Sequence, residues 1–333
     1  MAKKYGQKIR ILHVLDILKR QSDEFHPVTA EFIREALLRV GIEAERKAVY
    51  SDISALLEYG YDIVKSVHPR GWFLGEREFE APEIYILADA VRTAGFISAS
   101  KTRELVGKLD SFVSVYQRAE RENRVYFSAE AKCANEQIFY SIDKISAAAA
   151  AGRKIEFDYA SRVLSPERRI EKRVKHMKVS PYALVWNDDH YYMIANYEKY
   201  DNLMHVRVDR MLGVEMTGEP ARHFSEVSEY RDFFDTSDYT QKLFGMHGGK
   251  VEDIELCCSR DIIEQAADRF GEGIFIKNVT DSTFSFSVKA AVSEAFVTWI
   301  INYGEKIRVI SPPPLAEMVK KRAEEVLKLY GGE

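Results

Sequence analysis

From Lys154 the chain alternates as a half-buried strand does. Ile155, Phe157 and Tyr159 are separated by polar residues, so one face of an extended segment is apolar and the other wet. KHMKVSPYALVWN continues the pattern, Asn187-Asp188-Asp189 marks a turn, and HYYMIANYE is the strand after it. MHVRVDRMLGVEMT reads as one more strand, with Met204, Val206 and Val208 on one face and His205, Arg207 and Asp209 on the other. About five short strands with tight turns leave few solutions: a small, strongly bent sheet or a barrel.

What precedes this region is helical. Ile9, Leu12, Leu15 and Leu18 lie at helical spacing among Lys8, Arg10, Lys19 and Arg20. Pro27-Val28-Thr29 breaks the chain, and Thr29 is placed to cap a second helix whose apolar face is Phe32, Ile33, Ala36, Leu37 and Val40, ended by Gly41. A third helix is predicted from about Glu45 to Tyr59, closed by Gly60. Its buried face is Val49, Ile53, Leu56 and Leu57, and its other face shows Arg46, Lys47, Tyr50, Ser51 and Ser54. YDIVKS and GWFLG then form two short strands around the turn His68-Pro69-Arg70-Gly71. Three short helices and a hairpin are the pattern of a winged helix-turn-helix. In that fold one face of the third helix buries and the other is free for a major groove, with long donors reaching base edges and short hydroxyls reaching phosphate. The same pattern also suits a plain three-helix packing module. The segment to Gly75 holds twelve Lys/Arg and ten Asp/Glu, so bulk charge does not separate the two.

Between these regions, PEIYILADAVRTAGFIS, KTRELVGKLDSFVSVY and NEQIFYSIDKISAAAAAG read as linker helices, the last ending at Gly152 and leading into a strand. Helices of this kind often pair between subunits, which makes a homodimer a secondary expectation. After the strand region, VEDIELCCSRDIIEQAADRFG is a strand and a helix, and FIKNVTDSTFSFSVKAAV is a hairpin. SEAFVTWIINYG is a helix, EKIRVIS a strand, and PPPLAEMVKKRAEEVLKLYGG a closing helix. This β-α-β-β-α-β order is ferredoxin-like.

Composition narrows the function classes. At roughly 100–200 residues per domain, 333 residues predict two or three domains. A net charge of −4 excludes a wholly basic nucleic-acid coat but not a local basic surface. Three cysteines (Cys133, Cys257 and Cys258) form no CxxC pair, which rules out a cysteine zinc site and a disulfide framework and fits a reducing cytoplasm. Cys257 and Cys258 on one strand point to opposite faces as packing residues. No membrane span or signal peptide is expected. His176, His190 and His205 lack metal-site spacing, and no cofactor is expected. There is no P-loop, GxSxG, HExxH or clustered acidic metal site, so the chain is not expected to be an enzyme.

Three stretches carry a family resemblance. AVYSDISALLEYGYDIVKSVHPRGWFL resembles the N-terminal domain of DeoR-type and WYL-domain bacterial regulators, with Val49, Tyr50, Asp52 and Ile53 matching the recognition-helix core; Ser51 and Ala48 stand where that core usually has arginine and threonine. The order strand, SPYALVW, turn, HYYMIANYE, turn, HVRVDRM resembles the WYL domain: Pro181-Tyr182, Tyr191-Tyr192-Met193 in place of the name triplet, and Val206-Arg207-Val208-Asp209-Arg210-Met211. The W-I-x-N-Y-G stretch, strand, prolines and closing helix resemble the WYL C-terminal extension. The resemblance spans about residues 8–330. It implies an Sm-like, SH3-type barrel that senses a ligand or nucleic acid.

The expected organisation is therefore a multidomain α+β chain. It comprises a winged helix-turn-helix at 1–78, a helical linker at 79–152, a WYL barrel at 153–220 and a ferredoxin-like domain at 221–333. The expected function is a DNA-binding transcriptional regulator, with Arg46, Lys47, Tyr50, Ser51 and Arg70 on double-stranded DNA. Tyr182, Tyr192, His205, Arg207 and Arg210 are the candidate contacts to an anionic effector, a nucleotide or single-stranded nucleic acid. Asp209 and Arg210 could instead form a plain ion pair, Tyr182 could be barrel core, and the basic run Arg162–Lys178 reads as a solvated loop. The alternative function is an accessory nucleic-acid-binding module without an operator of its own.

Overall fold

The computed structural model describes residues 7–122 and 132–331. These fall into two compact units, one up to Glu136 and one from Gln137.

The first unit begins with α1 (Gln7–Gln21), α2 (Ala30–Arg39) and α3 (Arg46–Tyr59), followed by a hairpin of β1 (Ile63–Ser66) and β2 (Gly71–Leu74). Thr29 caps α2 by accepting from the Phe32 amide at 3.2 Å. Gly60 ends α3 with a positive φ of 115°, a conformation that favours glycine. The core is Val14, Leu18, Ile33, Leu37, Val49, Ile53 and Leu56, closed by Trp72 and Leu74 of the hairpin. Four residues depart from the sequence expectation: Ile9, Leu12, Val40 and Leu57 are exposed. Helical spacing gives a stripe, but only the neighbouring helices decide how wide a stripe is covered. On α3 the buried face extends instead to Asp52, at the edge of the stripe opposite Leu57, bridged by Arg10 of α1 through Nε at 2.6 Å and Nη2 at 3.0 Å.

The expected linker is α4 (Ala81–Thr93), α5 (Ala99–Leu109) and α6 (Val115–Glu122). It is tied to the turn after α1 by polar contacts. Buried Asp23 accepts from the Ser114 hydroxyl at 2.5 Å and contacts the His26 ring, and His26 stacks on Tyr116 at 3.9 Å. Arg77 donates to the Lys19 and Ser22 carbonyls, capping the end of α1.

The second unit opens with α7 (Ile138–Ala150), placed by sequence in the linker. Its Ile138, Ile145 and Ala148 are buried and it packs on β3, β4 and β7, so it belongs with the sheet that follows. That sheet is antiparallel, ordered β6-β5-β4-β3-β7. Its strands are β3 (Arg153–Leu164), β4 (Ile170–Asn187), β5 (His190–Asn196), β6 (Leu203–Arg207) and β7 (Met211–Pro220). The segment expected as one strand, Met204 to Thr217, is broken by a 3-10 turn at Val208–Arg210. The break is required because β6 pairs on β5 and β7 on β3, at opposite edges of the sheet. β4 carries the bend: its first part pairs with β3 and its last part with β5, with a register shift at Pro181/Ala183. No ladder joins β6 to β7 among the described residues, so the sheet is strongly bent and open rather than a hydrogen-bonded closed barrel. The basic run Arg162–Lys178 is solvated as expected but is a loop only at the turn 165–169; the rest is paired strand of β3 and β4.

Residues 221–249, with the short helix α8 (Thr236–Gln241), cross one face of this sheet. Leu243 and Met246 pack on Ile194, with Phe234 and Tyr239 beside them. A second sheet then holds β8 (Lys250–Ser259), β9 (Phe275–Val279), β10 (Thr283–Val292) and β11 (Ile307–Ser311), ordered β11-β8-β10-β9 and antiparallel throughout. α9 (Ile263–Phe270), α10 (Glu294–Ile301) and α11 (Pro313–Tyr330) complete the β-α-β-β-α-β-α order. Phe244, Phe286, Phe296 and Trp299 build its core. Cys258 is buried and Cys257 half-buried, on the two faces of β8.

Candidate nucleic-acid and ligand interfaces

On the first unit, burial of Val49, Asp52, Ile53 and Leu56 turns the opposite side of α3 to solvent. Arg46, Lys47, Tyr50 and Ser51 are all exposed there. Arg46 and Tyr50, one turn apart, are joined by an Arg46 Nη2 donation to the Tyr50 hydroxyl at 3.2 Å. Tyr50 meets Trp72 of the hairpin edge to face at 5.1 Å. Arg70 at the hairpin turn and Lys65 on β1 face the same place, a cleft of about 300 Å³ between the helix N-terminus and the hairpin. The cations Arg46, Arg70 and Lys65 pull the Tyr50 hydroxyl below its usual range, the Arg46 hydrogen bond being the largest cause. Lys65 and Trp72 were missed by sequence reasoning, because their approach to α3 depends on how the hairpin folds back; Trp72 bonds backbone to backbone with Val28.

On the second unit, Tyr192 and Arg207 stand directly opposite each other on the β5–β6 ladder. Both are half-buried and reach solvent. Arg207 is gripped by Asp209 through Nε at 3.0 Å and Nη2 at 2.8 Å. The ion pair expected for Asp209 and Arg210 is therefore formed by Asp209 and Arg207. The 3-10 turn after Arg207 folds Asp209 back onto it, whereas an unbroken strand would have kept both on one face two residues apart. Burial is the largest single influence on Arg207 and works against its charge, but the Asp209 hydrogen bond and the nearby Asp209, Tyr192 and Tyr159 groups together outweigh it, so its pKa is raised. Arg210 makes no hydrogen bond or ion pair among the described residues.

His190 completes this group and was passed over as a candidate contact. Its ring lies edge-on to Tyr192 at 6.3 Å, and its buried Nδ1 has no hydrogen-bond partner among the described residues. Burial, then the nearby Arg207 and Arg210 charges, lower its pKa, so the ring is neutral near pH 7. Tyr192 is raised, chiefly by burial. The result is a cationic rim, one free guanidinium, and a neutral imidazole with an unused nitrogen.

The other two expected contacts are engaged elsewhere. Tyr182 donates to the Arg222 carbonyl at 2.8 Å and packs between Phe224 and Phe234, and burial pushes its hydroxyl up to about 12. Its role in the structure is to hold residues 221–234 against the sheet. His205 contacts the Tyr239 hydroxyl through Nε2 at 2.9 Å, in a cleft of about 750 Å³ lined by Leu203, Tyr230, Tyr239 and Lys250. Burial and the neighbouring His247 hold it down to about 4. His176 pairs with Asp158 at 3.0 Å, so the three histidines of this region have three separate surroundings.

The WYL family model, described as the WYL domain, matches residues 141–216, which are α7 and the bent sheet up to β7. The chain contains a WYL domain. A second model, described as the WCX domain, matches residues 250–327, from β8 into α11. Residues 217–249, between the WYL and WCX matches, contain the segment that covers the WYL sheet. No curated protein matches the chain. Among solved structures, proteasome accessory factor B/C (PafBC) of Arthrobacter aurescens matches at 16% identity and a TM-score of 0.27, covering 99% of this chain and 50% of that one. The chain thus spans half the length of that structure. Among the described residues no helix is long and apolar enough to cross a membrane.

Proposed function

We propose that this WYL-domain protein is a DNA-binding transcriptional regulator. In this reading α3 and its hairpin form a winged helix-turn-helix that reads double-stranded DNA. The observation that carries it is the convergence of Arg46, Tyr50, Lys65 and Arg70 on one exposed cleft, beside Lys47 and Ser51. Four long donors from two elements, with no acidic partner bonded to any of them among the described residues, suit phosphate and base-edge contacts. The chain works as a cytoplasmic homodimer, which gives two such heads a pair of half-sites.

The WYL domain is the sensor. Arg210, the open side of Arg207, the Tyr192 ring and His190 Nδ1 together suit an anionic ligand with a planar group, such as a nucleotide or a short single strand. Binding acts on DNA affinity only if the ligand prefers one arrangement of the two heads. The test is promoter-DNA binding by the full chain and by Arg46→Ala/Lys47→Ala. Loss of discrete promoter binding with an unchanged melting curve supports the reading, and wild-type binding refutes it. Mass spectrometry of ligand co-purified with the wild type and lost with Arg210→Ala tests the sensor. Absence of discrete DNA sites in cells would favour the accessory module instead.

A further inference from the structure

β3 and β4 outlast the sheet they belong to. β7 pairs with β3 only up to Tyr159, and β5 meets β4 only from Ser180. Beyond them Ala160–Leu164 pairs with Ile170–Val174 alone, giving a two-stranded arm about 17 Å long at the usual strand rise. Every residue from Arg162 to His176 is exposed except Ser165, which closes the tip through backbone bonds with Arg168 and Arg169.

The arm is charged against the balance of the chain. Arg162–Lys178 holds seven Lys/Arg and two Glu, while the whole protein is at −4. Arg162, Arg168, Arg169, Lys172 and Arg173 make no ion pair among the described residues. Arg162 and Lys172 are direct cross-strand neighbours, an arrangement of like charges that costs energy without an anion between them. Two positions further out, Leu164 and Ile170 face each other across the strands at 75% and 76% exposure, and Pro166 sits in the turn.

Cationic flanks behind an exposed apolar tip suit one partner in particular. A groove of duplex DNA admits a two-stranded ribbon, its phosphates lie on both sides of such an arm, and Leu, Ile and Pro are residues that wedge between base steps and bend the duplex. The geometry points to the β3–β4 arm as a second contact to duplex DNA. Arg162, Lys172 and Arg173 lie on phosphates, and the Leu164/Ile170 tip presses on a base step. This contact goes beyond the α3 face and does not depend on it.

The experiment uses the full chain and a mixed-sequence duplex, with affinity followed against salt by fluorescence anisotropy. Arg162→Ala/Lys172→Ala/Arg173→Ala removes three phosphate contacts. The slope of log K against log salt should fall by roughly 2.7, so the variant should lose roughly 40-fold less affinity than wild type between about 50 and 200 mM salt. Lys320→Ala/Lys321→Ala/Lys328→Ala, on exposed positions of α11, removes the same charge elsewhere and should keep the wild-type slope. An arm variant indistinguishable from this control overturns the proposal. Arg46→Ala/Lys47→Ala separates the two readings: the arm's slope change persists on that background if the arm is a contact, whatever happens at α3. Leu164→Ser/Ile170→Ser should reduce bending, read by energy transfer between dyes at the duplex ends; unchanged bending overturns the wedge. Arm variants that lose binding to vesicles of mixed neutral and anionic phospholipid while keeping wild-type DNA binding would assign the arm to a membrane and overturn the proposal.

Discussion

Arg10→Ala should destabilise the first unit more than Asp52→Ala, although both break one ion pair. The carboxylate is the buried partner, 3% exposed against 15% for the guanidinium, and it accepts two short bonds. Removing Arg10 strands a charge that no water can reach without opening the α1–α3 contact, and losses of about 3–5 kcal/mol follow from that kind of stranding. Removing Asp52 leaves a long side chain that can swing its head to solvent, so the loss is nearer the about 1.5–3 kcal/mol of charge-assisted hydrogen bonds. At about 1.4 kcal/mol per tenfold, hydrogen exchange of the α3 amides should accelerate by roughly two to three and a half decades in Arg10→Ala and one to two in Asp52→Ala. Arg10→Met/Asp52→Leu should return to within about 1 kcal/mol of wild type, because apolar packing replaces a buried pair at little net cost. Where the head remains folded, all three should bind DNA normally, since Asp52 lies on the side of α3 away from Arg46 and Tyr50. Equal losses, or a larger loss for Asp52→Ala, would refute the claim that water access sets the asymmetry.

His205, held down to about 4, stabilises the fold fully above its unfolded value of about 6.5. That contribution drains away as pH falls from 6.5 towards 4, by up to about 3 kcal/mol, because the unfolded chain takes up the proton first. Urea midpoints measured across this range should lose that part of their slope in His205→Phe. Gly249→Ala would place a methyl 2.0 Å from the Val292 carbonyl oxygen and should cost more than about 2 kcal/mol, while Gly248→Ala, whose methyl meets only the His205 ring at 3.5 Å, should be mild; chemical denaturation compares them. Arg210→Ala should leave stability within about 0.5 kcal/mol, whereas Arg207→Ala takes the guanidinium from a largely buried Asp209 and should cost about 1–3 kcal/mol. A stability loss in Arg210→Ala matching that of Arg207→Ala would show that Arg210 has a structural partner.

Most elements were legible because their signals are local. Thr29 before an apolar helix face, Gly60 after one, and the alternation Ile155-Phe157-Tyr159 are each set within a few residues. The errors share a different origin. Leu57 and Leu12 sit at correct helical spacing and are exposed, while Asp52 is buried because Arg10 lies 42 positions away. Tyr182 looked like a stacking face until Arg222, forty positions on, took its hydroxyl. His190 has no motif of its own, and its buried, unpaired nitrogen beside Tyr192 shows only in the packed sheet.

The amino-acid order alone decided where most helices and strands form, which stretches are cationic, and that Arg207 and Tyr192 lie on adjoining strands. Those depend on backbone preference, side-chain periodicity and short turns, which act over a few residues. Only the folded chain decided which of those charges are already neutralised: among the described residues Asp209 holds Arg207, Arg210 is left free, and Arg162, Lys172 and Arg173 stand on an arm with no carboxylate bonded to them. Charge pairing falls steeply with distance and solvent exposure, and both are properties of the packed molecule rather than of position along the chain.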